Sequence, residues 1–69
     1  MSMVRAIRAV DAAAKGQASY SLNMTLSTGE TYEVRPVKIL GDYLECLNHQ
    51  DETLYISYSH IVMFTVNWL

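Results

Sequence analysis

The chain has 69 residues, 51% of them apolar and 17% charged, and a formal net charge of −2. That acidic balance is not the one of a dedicated nucleic-acid binder, although a local basic patch is compatible with it. Cys46 is the sole cysteine, which excludes an intrachain disulfide, and Cys46, His49 and His60 do not fall at a structural zinc spacing, so no metal and no cofactor are expected.

In chain order, Ser2 to Lys15 reads as an amphipathic helix. Met3, Ile7, Val10 and Ala14 follow the i, i+4, i+7 rule, Ala6 and Ala13 widen the stripe, and Arg5, Arg8, Ala12 and Lys15 share the opposite face. Ser2 is placed to cap the N-terminus and Gly16 to form a left-handed C-terminal cap, while Arg8 and Asp11 make an i, i+3 pair. Tyr20 to Ser27 alternates, with Tyr20, Leu22, Met24 and Leu26 on one face and polar residues on the other, as in a half-buried strand. Ser27-Thr28-Gly29-Glu30 is a hairpin turn, with Gly29 free to take a positive φ.

Thr31 to Leu40 is a long strand with a fault. Tyr32 and Val34 are apolar on even positions; beyond Pro36 the apolar residues are Val37 and Ile39, on odd ones. A phase slip of one residue at a proline predicts a bulge or sharp bend, which lets one strand serve both sheets of a small barrel. Gly41-Asp42 is a turn, Tyr43 to Asn48 a third strand, and His49 to Glu52 a polar loop. Thr53–Tyr58 and Ile61–Val66 are two more strands, joined by Ser59-His60. The last is apolar at nearly every residue, so both of its faces ask for burial. Asn67-Trp68-Leu69 reads as a tail, with Trp68 placed to pack back or to reach a neighbour.

One helix followed by five short strands predicts a mainly-β domain spanning 1–69: a helix over about 2–15, then a closed or partly open, strongly bent antiparallel barrel over about 19–66. A chain this short buries only about 60% of its unfolded surface, and association is the stabilising device that its composition leaves open. There is no 18-residue apolar run and no continuous signal-peptide core. The expectation is therefore no membrane segment and a cytoplasmic location, or a particle such as a virion assembled there.

The strand ahead of Gly29, the segment GETYEVRPVKILGDYLECLN and the terminal TLYISYSHIVMFTV together resemble the Sm-like family, and within it the Hfq-like branch. Tyr43-Leu44-Glu45-Cys46-Leu47 stands where the family's third strand runs, and Ile61-Val62 where its short last strand begins. Tyr58-Ser59-His60 replaces the Tyr-Lys-His signature of the Hfq-like loop, and Val34-Arg35-Pro36 lies where the family often has a second glycine. The resemblance implies an SH3-like small barrel and a homo-oligomeric ring of roughly five to seven copies, strand four of one copy pairing with strand five of the next. Leu54, Ile56, Ile61, Val62, Met63 and Phe64 would form that junction. It also implies single-stranded RNA as a partner, held by Asp42 and Tyr43 on one pore loop, Tyr58, Ser59 and His60 on the other, and Arg5 and Arg8 on the helix. Stacking on Tyr58 and hydrogen bonds from Ser59 and His60 would carry that contact. The alternative is an oligomerising structural protein, for example of a phage particle, with no nucleic-acid role. No residue constellation amounts to a catalytic signature: Cys46 and His49 lie near one strand end without an orienting third group, so no enzymatic activity is expected.

Overall fold

The computed structural model describes residues 2–16 and 19–69. Ser2 caps helix α1 (Met3–Ala14), its hydroxyl accepting the Arg5 N–H at 3.4 Å. The expected apolar stripe is the face that packs: Ile7 has no solvent exposure, Ala14 is buried, and Met3, Val4 and Val10 lie against the core. The helix ends one residue earlier than its pattern indicates. Lys15 itself takes the left-handed cap at φ 49°, its N–H donating to the Asp11 carbonyl, and Gly16 follows at φ 71°. The expected Arg8–Asp11 pair does not form; Asp11 accepts the Tyr20 hydroxyl at 3.0 Å through Oδ1.

Five strands follow: β1 (Tyr20–Leu26), β2 (Thr31–Ile39), β3 (Tyr43–Leu47), β4 (Thr53–Ser57) and β5 (Ile61–Trp68). All neighbours are antiparallel, in the order β4-β3-β2-β1-β5. The sheet is open. β4 and β5, adjacent in sequence, sit at its opposite edges and do not pair, so no closed barrel forms within one chain. Between them Tyr58–His60 winds into a single 3-10 turn, η1, where a plain strand end and tight link were expected. β5 also runs further than its apolar run suggests: Asn67 and Trp68 continue the ladder against Ser21 and Tyr20, and the Trp68 and Tyr20 rings meet at 5.7 Å.

The fault in β2 has the predicted consequence. Its first half, Thr31 to Val34, pairs with β1, and its second half, Arg35 to Ile39, pairs with β3. The β2–β3 register runs Pro36↔Cys46 and then Lys38↔Glu45, so Val37 is the extra residue of a bulge and is half-exposed. Proline tolerates that position because a bulge asks one residue fewer to donate to the ladder. The bend folds the β3–β4 half toward the β1–β5 half, and the space between them is the core. Leu22, Met24, Val34, Leu44 and Cys46 meet there with Ile7 from the helix, and Ile56, Tyr58 and Ile61 complete it.

Turn chemistry closes the hairpins. Gly29 takes φ 90° between β1 and β2, where the Leu26 N–H donates to the Glu30 carbonyl. In the β3–β4 loop Asn48 acts as the organiser. Its Oδ1 accepts the N–H groups of Gln50 and Glu52 at 2.9 Å each, its Nδ2 donates to Glu52, and Asp51 adopts a left-handed φ of 60°. An asparagine side chain mimics a backbone turn in this way. No helix among the described residues is long and apolar enough to cross a membrane.

Candidate functional site

The residues marked by the two loop motifs converge on one end of the molecule. η1 packs against α1, and the positive charge of Arg8 acts on Tyr58. The Tyr58 hydroxyl donates to the Leu40 carbonyl at 2.5 Å, which fastens η1 to the β2–β3 turn that holds Asp42 and Tyr43. Arg5 and Arg8 are exposed on the helix, and Ser59, His60 and Asp42 are exposed on the loops. Six of the seven residues proposed for RNA contact are therefore open to solvent.

Tyr58 is the exception. It is 9% exposed and belongs to the core cluster with Ile56 and Ile61. Burial pushes its phenol pKa up, and Arg8 partly offsets this. Its hydroxyl is spent on Leu40 and its ring on packing, which leaves little of it for a base to stack on. Of the two tyrosines in the loop motifs, Tyr43 is the one that faces solvent, its ring on the outer face of β3 in edge contact with Tyr55 at 5.9 Å. Tyr43 lies opposite Ser57 in the outward row of the β3–β4 pair, while Tyr58, just past the ladder in η1, is buried in the core.

His60 joins η1 to the β1–β2 turn. Its carbonyl accepts the Ser27 N–H at 2.7 Å, and its Nδ1 lies 3.4 Å from the Ser27 hydroxyl. Ser59 shares a 2.9 Å hydroxyl contact with Ser57. The loop is thus held by its own polar groups, and His60 is exposed beside Thr28 and Glu30.

The residues proposed for a subunit junction divide in two. Ile56 and Ile61 are buried in the core of a single copy, and Leu54 and Phe64 are packed against it. Val62 and Met63 are 63% and 53% exposed on the β5 edge. Val62 owes its position to a second bulge, since Thr25 pairs with Met63 and Leu26 with Ile61. Of the doubly apolar β5, one face is satisfied by its own chain and the other is not.

Cys46 and His49 do not assemble a nucleophile and base. Cys46 is fully buried, its thiol 3.7 Å from the Leu54 carbonyl, and burial first and Glu45 second push its pKa up to about 11. The thiolate needed for attack is scarce at neutral pH. A polar crease on the other end of the sheet was not legible in the sequence. There Ser21, which the strand alternation places on the exposed face, is buried and donates to Glu33 at 3.1 Å. Arg35 pairs with Asp51 beside it, across the β2 bend. The bend brings the β3–β4 loop over β1, and no local pattern announces that.

No protein-family model, no curated protein and no solved structure matches the chain.

Proposed function

We propose that the chain is a ring-forming module of the Sm-like kind, its copies joined edge to edge with β4 of one against β5 of the next. The observation that carries this reading is the character of the two free edges. Neither β4, TLYIS, nor β5, IVMFTVNW, contains a charged residue or a proline. Those are the usual guards of an exposed strand, and an unguarded edge is a template for pairing. Val62, Met63 and Tyr55 add exposed apolar surface beside both edges. The two edges differ, so the contact is heterologous, and closure into a ring consumes every edge. Light scattering at micromolar concentration tests it. The expected mass is roughly five to seven times that of the 7.8 kDa chain. A clean monomer would overturn the reading.

Single-stranded RNA is the ligand that the gathered end of the molecule favours. Arg8 on the helix acts on Tyr58 of η1, beside the exposed Ser59 and His60, Arg5 is exposed further along the same helix, and a ring would repeat that small positive group around its axis. Phosphate contacts of this kind release counterions, so binding would weaken steeply with salt. Fluorescence anisotropy with uridine-rich and adenosine-rich oligonucleotides across a salt series is the measurement. Absence of binding to both at low salt, with the ring intact, leaves a structural assembly protein as the function.

A further inference from the structure

A shallow, open depression lies on the outer face of β3 and β4, lined by Tyr43, Glu45, Tyr55 and Ser57. Tyr43 lies opposite Ser57 and Glu45 opposite Tyr55, so the four side chains form a block two strands wide. The two rings stand at 72° to each other, and they are 41% and 65% exposed. The chain has five tyrosines. The hydroxyls of Tyr20, Tyr32 and Tyr58 are each taken by an acceptor, whereas those of Tyr43 and Tyr55 have none among the described residues.

The chemistry of this corner selects charge. Aromatic faces carry negative quadrupole density, and although the edge contact spends one face of the pair, both rings remain substantially exposed. Glu45 adds a formal negative charge at the same place. Lys38 is its cross-strand neighbour on β2, but the single ion pair among the described residues is Arg35–Asp51, so the Glu45 carboxylate is not consumed. A phosphate group would meet repulsion here.

We propose that this corner binds the guanidinium group of an arginine side chain presented by a partner polypeptide. Arginine fits better than lysine because a planar guanidinium can lie on the Tyr55 face while its fork donates to the Glu45 carboxylate and the Ser57 hydroxyl. The site uses the outward face of β4 rather than its hydrogen-bonding edge.

The test titrates the intact chain with acetyl-Gly-Arg-Gly-amide, with the lysine peptide, and with the citrulline peptide, which keeps the shape and loses the charge. Ring resonances of Tyr43 and Tyr55 report binding. The arginine peptide is expected to shift both rings with millimolar affinity, the lysine peptide to bind more weakly, and the citrulline peptide to leave them unmoved. Glu45→Gln, at a half-buried position, and Tyr55→Leu, at an exposed one, are each expected to weaken the arginine peptide about two- to fivefold. Lys38→Ala is expected to tighten it by removing a competing cation. Equal shifts from arginine and citrulline would overturn the proposal. So would binding that survives both weakening variants, no shift at tens of millimolar peptide, or rings that respond to a uridine oligonucleotide and not to the arginine peptide.

Discussion

Replacing Tyr58 by phenylalanine separates a core tyrosine from a ligand-stacking one. The ring volume is kept, so no cavity opens, and only the hydroxyl bond to the Leu40 carbonyl is lost. An ordinary intramolecular hydrogen bond contributes about 0.5–1.5 kcal/mol net, and leaving a part-buried acceptor without its partner moves the cost toward the upper end. A loss of about 1–1.5 kcal/mol is therefore expected. For a domain of this size 1 kcal/mol moves Tm by about 4–8 °C, so Tm should fall by about 5–10 °C. Against a total stability of roughly 3–10 kcal/mol this is a large fraction. Thermal and urea unfolding followed by circular dichroism, at one protein concentration for both proteins, measures it. RNA affinity at a temperature where both are folded should not change. A Tm within 1 °C of wild type would refute the assignment of Tyr58 as the tie between η1 and the β2–β3 turn.

Three other outcomes follow from the structure. Val62→Asp, at an exposed edge position, should reduce the mass in light scattering while leaving the monomer folded, whereas Phe64→Asp, packed on the core, should unfold the chain; wild-type mass and stability in both would discard the proposed junction. Stability should decline in alkali: folded-state pKa values raised to about 11 for Cys46 and about 12 for Tyr20 mean that their contributions are complete below their ordinary values of 9.0 and 10.0 and are lost as pH climbs through the raised ones. Cys46→Ala should remove the earlier of those two losses in unfolding curves taken from pH 8 to 12. Tyr20→Phe should release the C-terminal end of α1 from the sheet, costing about 0.5–1.5 kcal/mol and speeding amide exchange in the last helical turn; unchanged exchange would show that the Asp11 bond does not hold the helix.

The sequence carries its own account of this fold wherever a local rule decides. The helix stripe, the Ser2 cap, the alternation of β1, the Gly29 turn and the slip at Pro36 are all readable because each depends on neighbours within a few residues. What it does not carry depends on contacts between distant segments. Asp11 has two candidate donors, and nothing local favours Tyr20 over Arg8. Tyr58 and Tyr43 are both loop-adjacent tyrosines, and only the packing of the folded chain buries the first in the core and leaves the second exposed on the outer face of β3. Ser21 on the polar face of β1 is hidden in a crease that Glu33, Arg35 and the β3–β4 loop line beside it. Adjacency in sequence also misleads at the end of the chain, where β4 and β5 look like partners and instead occupy opposite edges.

The pairing of β1 with β5 sets the order in which this fold is reached. The hairpins β1–β2, β2–β3 and β3–β4 join segments a few residues apart, and each closes a short loop. β5 must return past three strands to find β1, so its docking carries the largest loop-closure entropy in the sheet and belongs to the slow step of folding. Until it docks, the β1 edge is bare and the Ile61 and Phe64 side chains are wet. In a concentrated solution the β5 of another copy meets that edge in the same register, and the product is a strand-exchanged dimer held by native contacts. Refolding at high and low concentration should divide the chain between these two products, with the exchanged form persisting after dilution.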